Sequence, residues 1–328
     1  MSGPPVLFDL RGKRVFVAGH GGMAGSAIAR RLQRERCDII FAARSDLDLT
    51  HSDEVERFMA QSKPDAVFVA AGRVGGIRAN STFPADFIAD NLAIGLNTIR
   101  AAHHCNVQKL VYLGSSCIYP RLASQPMAPD MLLSGALEPT NQWYAVAKIA
   151  GIKLCEAYRL QHGADFVAVM PTNLYGPGDN YHPEDSHVPA ALLRRFHEAK
   201  IGGAPQVMVW GTGSPRREFL AVDDLADACV FVMKHYSDLP FLNIGTGEDI
   251  TIADFARLIA EVVGYDGTIA FDTSKPDGPP RKLLDVARIN ALGWRASIPL
   301  REGLQRAYAD FVARYSSIRA ATEKQPSL

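Results

Sequence analysis

Net charge, paired cysteines and long apolar runs are all missing from this chain, and each absence closes off a class of function. Lysine plus arginine number 35 and aspartate plus glutamate 35 among 328 residues. No long-range field therefore draws the molecule to nucleic acid or to an anionic membrane surface. The five cysteines (Cys37, Cys105, Cys117, Cys155 and Cys229) are odd in number and widely spaced, with no Cys-x-x-Cys pair. They read as free thiols of a reducing compartment, and no metal site is expected. Nowhere do eighteen apolar residues run together, and Met1–Arg14 has no signal-peptide core. A cytoplasmic protein without membrane attachment is the expectation. Internal repeats and low-complexity tracts are absent as well.

What is present is an alternation. Arg14–Gly19 is an apolar run closed by glycine, and Met23–Gln33 follows with helical spacing and basic residues near its end. This reads as strand, turn, helix. Similar apolar runs recur at Asp38–Ala42, Ala66–Ala70, Leu110–Leu113, Phe166–Met170 and Phe241–Ile244, most of them separated by helix-like segments. Such a pattern predicts an α/β fold, a doubly wound parallel sheet (Rossmann) buried on both faces. Beyond Pro171 the rhythm changes. Tyr175–Asp185 is rich in Gly, Pro and Asp, then come a helix pattern at Val188–Lys200 and a strand pattern at Val207–Trp210. Helix patterns at Ile252–Val263, Val286–Leu292 and Leu300–Tyr315 are assigned mainly to a second, smaller C-terminal domain for substrate. The expected division is 10–175 with 220–247 for the dinucleotide-binding domain, 176–219 with 248–320 for the substrate domain, and a polar tail at 321–328.

The turn after the first strand holds Gly19, Gly22 and Gly25 as G-x-x-G-x-x-G, and Gly25 runs into the helix. Glycine there lets backbone approach a pyrophosphate, and the helix N-terminus supplies N–H donors and a positive dipole. The second strand ends Phe41-Ala42-Ala43-Arg44, with no carboxylate at its tip. A cation at that point suits the 2′-phosphate of NADP(H). Asp46 and Asp48 follow, and either could instead pair with Arg44.

A helix pattern near the middle contains Tyr144-x-x-x-Lys148, which stacks phenol and ammonium on one face, and upstream the fourth strand ends in Gly114-Ser115-Ser116-Cys117. The neighbouring ammonium and the nicotinamide charge are expected to lower the phenol's pKa, so that Tyr144 exchanges a proton with a substrate oxygen. With the glycine turn, the serines and Tyr-x-x-x-Lys in this order, the chain resembles the extended short-chain dehydrogenase/reductases. Asn91 matches the asparagine that supports the lysine through water in such enzymes.

The stretches VGGI (Val74–Ile77), GSSCIYP (Gly114–Pro120), EPTNQWYAVAKIAGIKLCE (Glu138–Glu156), MPTNLYGPGDNYHP (Met170–Pro183) and KPDGPPRKLLD (Lys275–Asp285) narrow the likeness. Over nearly the whole chain they are similar to the GDP-fucose synthase family. Dehydratases of the superfamily carry a Thr-Asp-Glu-like triplet where Ser115-Ser116-Cys117 stands here. The resemblance implies a GDP-sugar substrate, epimerised at C3 and C5 and then reduced at C4 by NADPH. It implies Tyr144, Lys148, Ser115 and Ser116 at the carbonyl, with Cys117 and His187 as the epimerisation acid and base. The cofactor set that it implies takes in Met23, Asp46, Leu47, Leu113, Gly114, Pro171, Asn173, Leu174 and His187 beside the glycines, Arg44 and Lys148. For substrate it implies Arg195, Arg217 and Lys282 at the diphosphate, Trp210 against sugar or base, and Asp277 on guanine or ribose, where a turn-stabilising role competes. One position departs from the family. The residue after His20, often arginine there, is Gly21. Other readings of the same motifs are a GDP-mannose 4,6-dehydratase, a UDP-sugar 4-epimerase, or a non-catalytic NADP-sensing module. Broad apolar faces at Asn91–His104 and Tyr144–Tyr158 predict a homodimer paired through these helices.

Overall fold

The structure, a computed structural model, describes residues 4–183, 185–275 and 277–324. Its first half alternates β1 (Arg14–Ala18), α1 (Met23–Leu32), β2 (Asp38–Ile40), α2 (Ser52–Ser62), β3 (Ala66–Val69), α3 (Ile77–Thr82), α4 (Pro84–His104), β4 (Lys109–Leu113), α5 (Gln142–His162) and β5 (Phe166–Pro171). After β6 (Asn173–Tyr175) come α6 (Val188–Gly202), β7 (Gln206–Trp210), β8 (Arg216–Arg217), β9 (Phe219–Ala221), α7 (Val222–His235) and β10 (Leu242–Ile244). The chain closes with β11 (Ile250–Thr251), α8 (Ile252–Val263), β12 (Thr268–Asp272), β13 (Arg281–Lys282), α9 (Ala287–Ala291) and α10 (Leu300–Lys324).

Six strands form one sheet in the order β10-β5-β4-β3-β1-β2, and every pairing in it is parallel. Every residue of β3, β4 and β5 is buried, so these strands read as continuous apolar runs rather than as alternation. Helices α1 and α7 pack together in one layer, while α2, α4 and α5 pack in another. The order reverses at β1, whose neighbours are β2 and β3. A crevice at the carboxyl ends of such strands is where open α/β sheets bind ligands.

Buried apolar side chains fall into two clusters. The larger surrounds the six-stranded sheet. The second gathers Tyr175, Phe196, Val209, Phe219, Phe255 and Phe311, with the rings of Phe219 and Phe255 stacked at 3.9 Å and 15°.

Several features differ from the sequence pattern, among them β12 and α3, which it did not contain, and α4, which begins at Pro84 rather than Asn91. β2 ends at Ile40 rather than Ala42, because this half-buried edge strand pairs only with β1 and then turns out along the crevice. The last helix passes Tyr315 and runs through the expected tail to Lys324, and residues 325–328 lie outside the described ones. Strands of two or three residues (β6, β8, β9, β11 and β13) were not foreseen. Such short runs lack a periodicity of their own and exist through tertiary pairing.

Candidate active site

A cleft of about 850 Å³ opens at the carboxyl ends of β1, β3 and β4. Its floor is the glycine turn. Gly19 is in the left-handed region at φ 87°, and a Cβ there would lie 2.6 Å from the Ala71 backbone. A Cβ on Gly25 would come within 2.1 Å of the Gly19 carbonyl oxygen, so only glycine lets α1 start this close to the turn. The N-terminus of α1 has no side-chain cap. Its first N–H groups therefore point at the cleft, which Gly22 and Met23 line. This cradle fits a dinucleotide diphosphate.

Ala42, Ala43, Arg44 and Leu47 form the next wall. The Arg44 side chain is 84% exposed and its guanidinium stands 3.8 Å from Asp48. Asp46 accepts from the Ser45 hydroxyl at 3.1 Å instead. A pair so loose and exposed contributes little and opens readily to a stronger anion. Gly21 lines the same wall, and nothing lies within 4 Å of a Cβ built on it.

Leu113, Gly114, Ser115 and Ser116 bring the end of β4 into the cleft, where Tyr144 and Lys148 arrive on the facing side of α5. The Lys148 ammonium donates to the Leu113 carbonyl at 3.0 Å and stands 5.8 Å from the Tyr144 ring centre. Burial holds Lys148 down at about 8, against the pull of Cys117. Asn91 works through backbone. Its amide donates to Arg73 O (3.0 Å) and Phe87 O (2.7 Å), and its oxygen accepts from Arg73 N at 3.1 Å. Gly72 separates it from the lysine, for a Cβ there would meet Asn91 Oδ1 at 2.8 Å and Lys148 Nζ at 3.4 Å.

The Lys148 ammonium does not bring about the expected lowering of the Tyr144 pKa. Burial pushes the phenol well above its ordinary value, with Cys117 and Tyr112 adding to the rise and the Ser115 hydroxyl opposing it. Tyr144 is thus protonated at neutral pH, the form that can donate to a nascent alkoxide.

Cys117 and His187 shift in opposite directions. The Cys117 thiol is 7% exposed, and burial raises its pKa against the stabilising Ser115 hydroxyl and the Lys282 and Lys148 charges. His187 precedes α6 on the cleft wall, where solvent reaches the ring but crowding by protein lowers its pKa. Near pH 7 the Cys117 thiol, just behind the cleft lining, is neutral and able to give a proton, and the His187 imidazole on the wall is neutral and able to take one. Pro171, Asn173 and Leu174 also line the cleft.

Of the five substrate-contact residues, Arg217 reaches the cleft wall, while Arg195, Trp210, Asp277 and Lys282 lie beyond its lining. Lys282 lies opposite Arg217 in the β13–β8 pairing, and its charge acts on the Cys117 thiol. Asp277 acts on Arg217 and accepts from Thr212 N (2.7 Å) and Thr212 Oγ1 (2.8 Å), so its carboxylate already stabilises a turn. Trp210 is 64% exposed, with the Arg195 guanidinium 6.0 Å and the Lys275 ammonium 5.7 Å from its ring centre. Burial lowers Arg195, Arg217 and Lys282 alike. Among the described residues none of the three closes an ion pair within 4.0 Å. Arg217 and Lys282, side by side, partly desolvated and in no close ion pair, are suited to receive an anion.

The sequence motifs missed several lining residues. Ala70-Ala71-Gly72 follow β3 as a run of small residues, a signal that was available. Arg73, held by Asp86 (3.1 Å) and Asp90 (2.9 Å), and Phe219 carried no such signal.

A parallel sheet with a glycine cradle at its reversal point, and a serine, tyrosine and lysine in one cleft, is the equipment of a nicotinamide enzyme. Residues 15–245 match the NAD dependent epimerase/dehydratase family, and the chain belongs to it. Within that class the chain is 56% identical to GDP-L-fucose synthase 1 of Arabidopsis thaliana over 296 residues, 90% of this chain and 92% of the relative. It is 54% identical to the GDP-L-fucose synthase of Escherichia coli (strain K12) over 317 residues, 94% and 99% of the two chains. Among solved structures it is similar to a GDP-L-fucose synthetase from Naegleria fowleri bound to NADP. The TM-score is 0.87 at 25% identity, covering 97% of this chain and 98% of that one.

Proposed function

We propose that this chain is an NADPH-dependent enzyme that epimerises GDP-4-keto-6-deoxy-D-mannose at C3 and C5 and reduces it at C4, yielding GDP-L-fucose. The carrying observation is that Ser115, Tyr144, Lys148 and His187 converge on one cleft floored by the glycine cradle, with Cys117 directly following the Ser115-Ser116 pair that lines it. The identity of 54–56% to GDP-L-fucose synthases over at least 90% of the chain supports the sugar.

The chemistry follows from the residues. A proton on carbon beside a ketone becomes removable once donors stabilise the enolate oxygen. Tyr144 and Ser115 hold that oxygen, His187 takes the proton from C3 or C5, and Cys117 returns one from the other face. The bound reduced cofactor supplies the hydride for C4. Tyr144 then protonates the C4 oxygen, and Lys148 orients the phenol's surroundings from the Leu113 carbonyl. Arg217, Lys282 and Arg195 hold the diphosphate, and Trp210 lies against the base or sugar. Ser115-Ser116-Cys117 offers no carboxylate pair for loss of water across C5 and C6, which disfavours a dehydratase. Consumption of one NADPH per keto sugar tests the reading. An enzyme that recycles its nicotinamide leaves the cofactor absorbance unchanged.

Two further parts of the reading concern specificity and assembly. Arg44 grips the 2′-phosphate, displacing Asp48. Arg44→Ala should weaken NADPH by about tenfold, as expected for loss of one exposed charge-assisted contact, and leave NADH within about twofold. Equal weakening of both, by fluorescence titration, would assign Arg44 to its aspartate. The exposed Leu92 and Leu96 on α4 and Trp143 and Val146 on α5 suit a homodimer joined through these helices. Sedimentation at micromolar concentration should give twice the chain mass, and a monomer would contradict it. The two apolar clusters support a division into a dinucleotide-binding domain and a substrate domain, with the cleft between them, and five unpaired cysteines suit a cytoplasmic setting.

A further inference from the structure

Between the two cleft-facing residues Arg217 and Phe219 lies a carboxylate with no solvent exposure at all, Glu218. Alternation of side chains along an extended segment turns it away from the cleft. There its Oε1 accepts from Gly247 N at 2.8 Å and from the Thr246 hydroxyl at 3.4 Å, while Oε2 accepts from Leu284 N at 3.0 Å. Gly245 leaves room for it, since a Cβ there would lie 2.2 Å from Oε1. Among the described residues no cation pairs with Glu218, and burial raises its pKa against the backbone N–H groups that it accepts from. A buried carboxylate satisfied only by N–H and hydroxyl donors is costly relative to an apolar residue. What it gains is placement.

The segment placed is the one that bears Lys282. Glu218 N donates to the Lys282 carbonyl at 3.2 Å, and two residues further on Glu218 Oε2 takes the Leu284 N–H. Lys282 is thereby bracketed by a single residue. The Glu218 carbonyl accepts from Asn173 Nδ2 at 2.8 Å and from the Thr172 hydroxyl at 3.3 Å, at the end of β5 that enters the cleft. The same residue thus ties the cofactor side of the cleft to the strand carrying the outer cation.

We propose that Glu218 is a positioning residue that fixes Lys282, through the Leu284 N–H, for the diphosphate of the GDP-sugar. This rests on the reading of the cleft given above. Glu218→Gln is nearly isosteric but has one acceptor oxygen. If that oxygen stays with its two donors at Thr246 and Gly247, the NH₂ group faces the Leu284 N–H, donor against donor, and the Lys282 strand loosens.

The experiment compares wild type, Glu218→Gln, Lys282→Ala and the double variant. Each is measured for KM and kcat with the keto sugar, for Kd of GDP alone and for Kd of NADPH. Glu218→Gln should raise KM and the Kd of GDP about tenfold, the size of one lost hydrogen bond to a charged group, with kcat within about threefold and NADPH within about twofold of wild type. In the Lys282→Ala background it should add less than about twofold, because two residues acting through one contact are not additive. A purely structural role lowers kcat with the folded fraction, leaves KM unchanged, or adds in full to Lys282→Ala, and any of these overturns the proposal. Should Glu218→Gln fail to fold, Gln125→Ala removes the acceptor that holds the adjacent Leu283 N–H at 2.8 Å, and the same rise in KM is expected. An unchanged KM there counts against the proposal. If wild type does not turn over the keto sugar, the functional reading fails, and the GDP affinities alone decide the role of Glu218.

Discussion

Tyr144→Phe should cut reduction of the keto sugar by about 10²-fold or more, the usual contribution of a positioned general acid, with NADPH affinity unchanged. The variant removes one oxygen. The ring keeps its edge-to-face contact with Phe87, 6.5 Å between centres at 80°, so the fold around α5 is undisturbed. The glycine cradle lies on other elements and does not sense the change. Because burial holds the phenol protonated, the loss is that of a proton donor, and single-turnover oxidation of bound NADPH should slow by the same factor as kcat. Near-normal turnover would remove Tyr144 from the chemistry. The pattern expected of a merely structural tyrosine is different, with NADPH binding and thermal stability falling together.

The second large effect separates the two reactions. In deuterated solvent, Cys117→Ser and His187→Gln should each lower deuterium incorporation at C3 and C5 by about 10²-fold, since a serine hydroxyl is a far weaker acid than a thiol and an amide does not take up a proton near pH 7. On this reading hydride transfer to C4 needs neither proton carrier. Some reduction of unepimerised substrate should therefore persist and give a 6-deoxy sugar other than fucose. The pH dependence has a definite sign. Crowding by protein lowers the pKa of His187, so the neutral base persists to lower pH than an ordinary imidazole and is lost only as acid protonates the ring. Wild-type exchange should hold through neutral pH and decline only on the acid side, and His187→Gln should lack that acid limb. Undiminished exchange in both variants would assign the epimerisation to another pair.

Much of this site was legible before any coordinates. The alternation of apolar runs and amphipathic helices placed five of the six sheet strands within one residue at each end, because strands buried on both faces are continuous apolar runs. β2 was the exception, being an edge strand whose last predicted residues turn out to line the cleft. The glycine turn was legible because only glycine allows the 2.1 Å approach at Gly25. Electrostatics was not. Tyr-x-x-x-Lys spacing suggests an ammonium that acidifies the phenol, yet Lys148 turns to the Leu113 carbonyl and burial dominates. The placing of Lys282 beside Arg217, and the bracketing of Lys282 by Glu218, depend on contacts between strands too short to have a periodicity. Asp277 shows the converse. Its place in a Pro/Gly turn already suggested the turn-stabilising role that its bonds to Thr212 display.

The central claim is that one cleft carries out both proton exchange at carbon and reduction at C4. It is tested most directly by incubating wild-type protein with GDP-4-keto-6-deoxy-D-mannose and NADPH in deuterated water and reading the product sugar by NMR. The account predicts an L-fucose product with deuterium at C3 and C5, protium at C4, and one NADPH oxidised per sugar. Protium at C3 and C5 with a reduced sugar of unchanged configuration, or recovery of the keto sugar with no NADPH consumed, would contradict it.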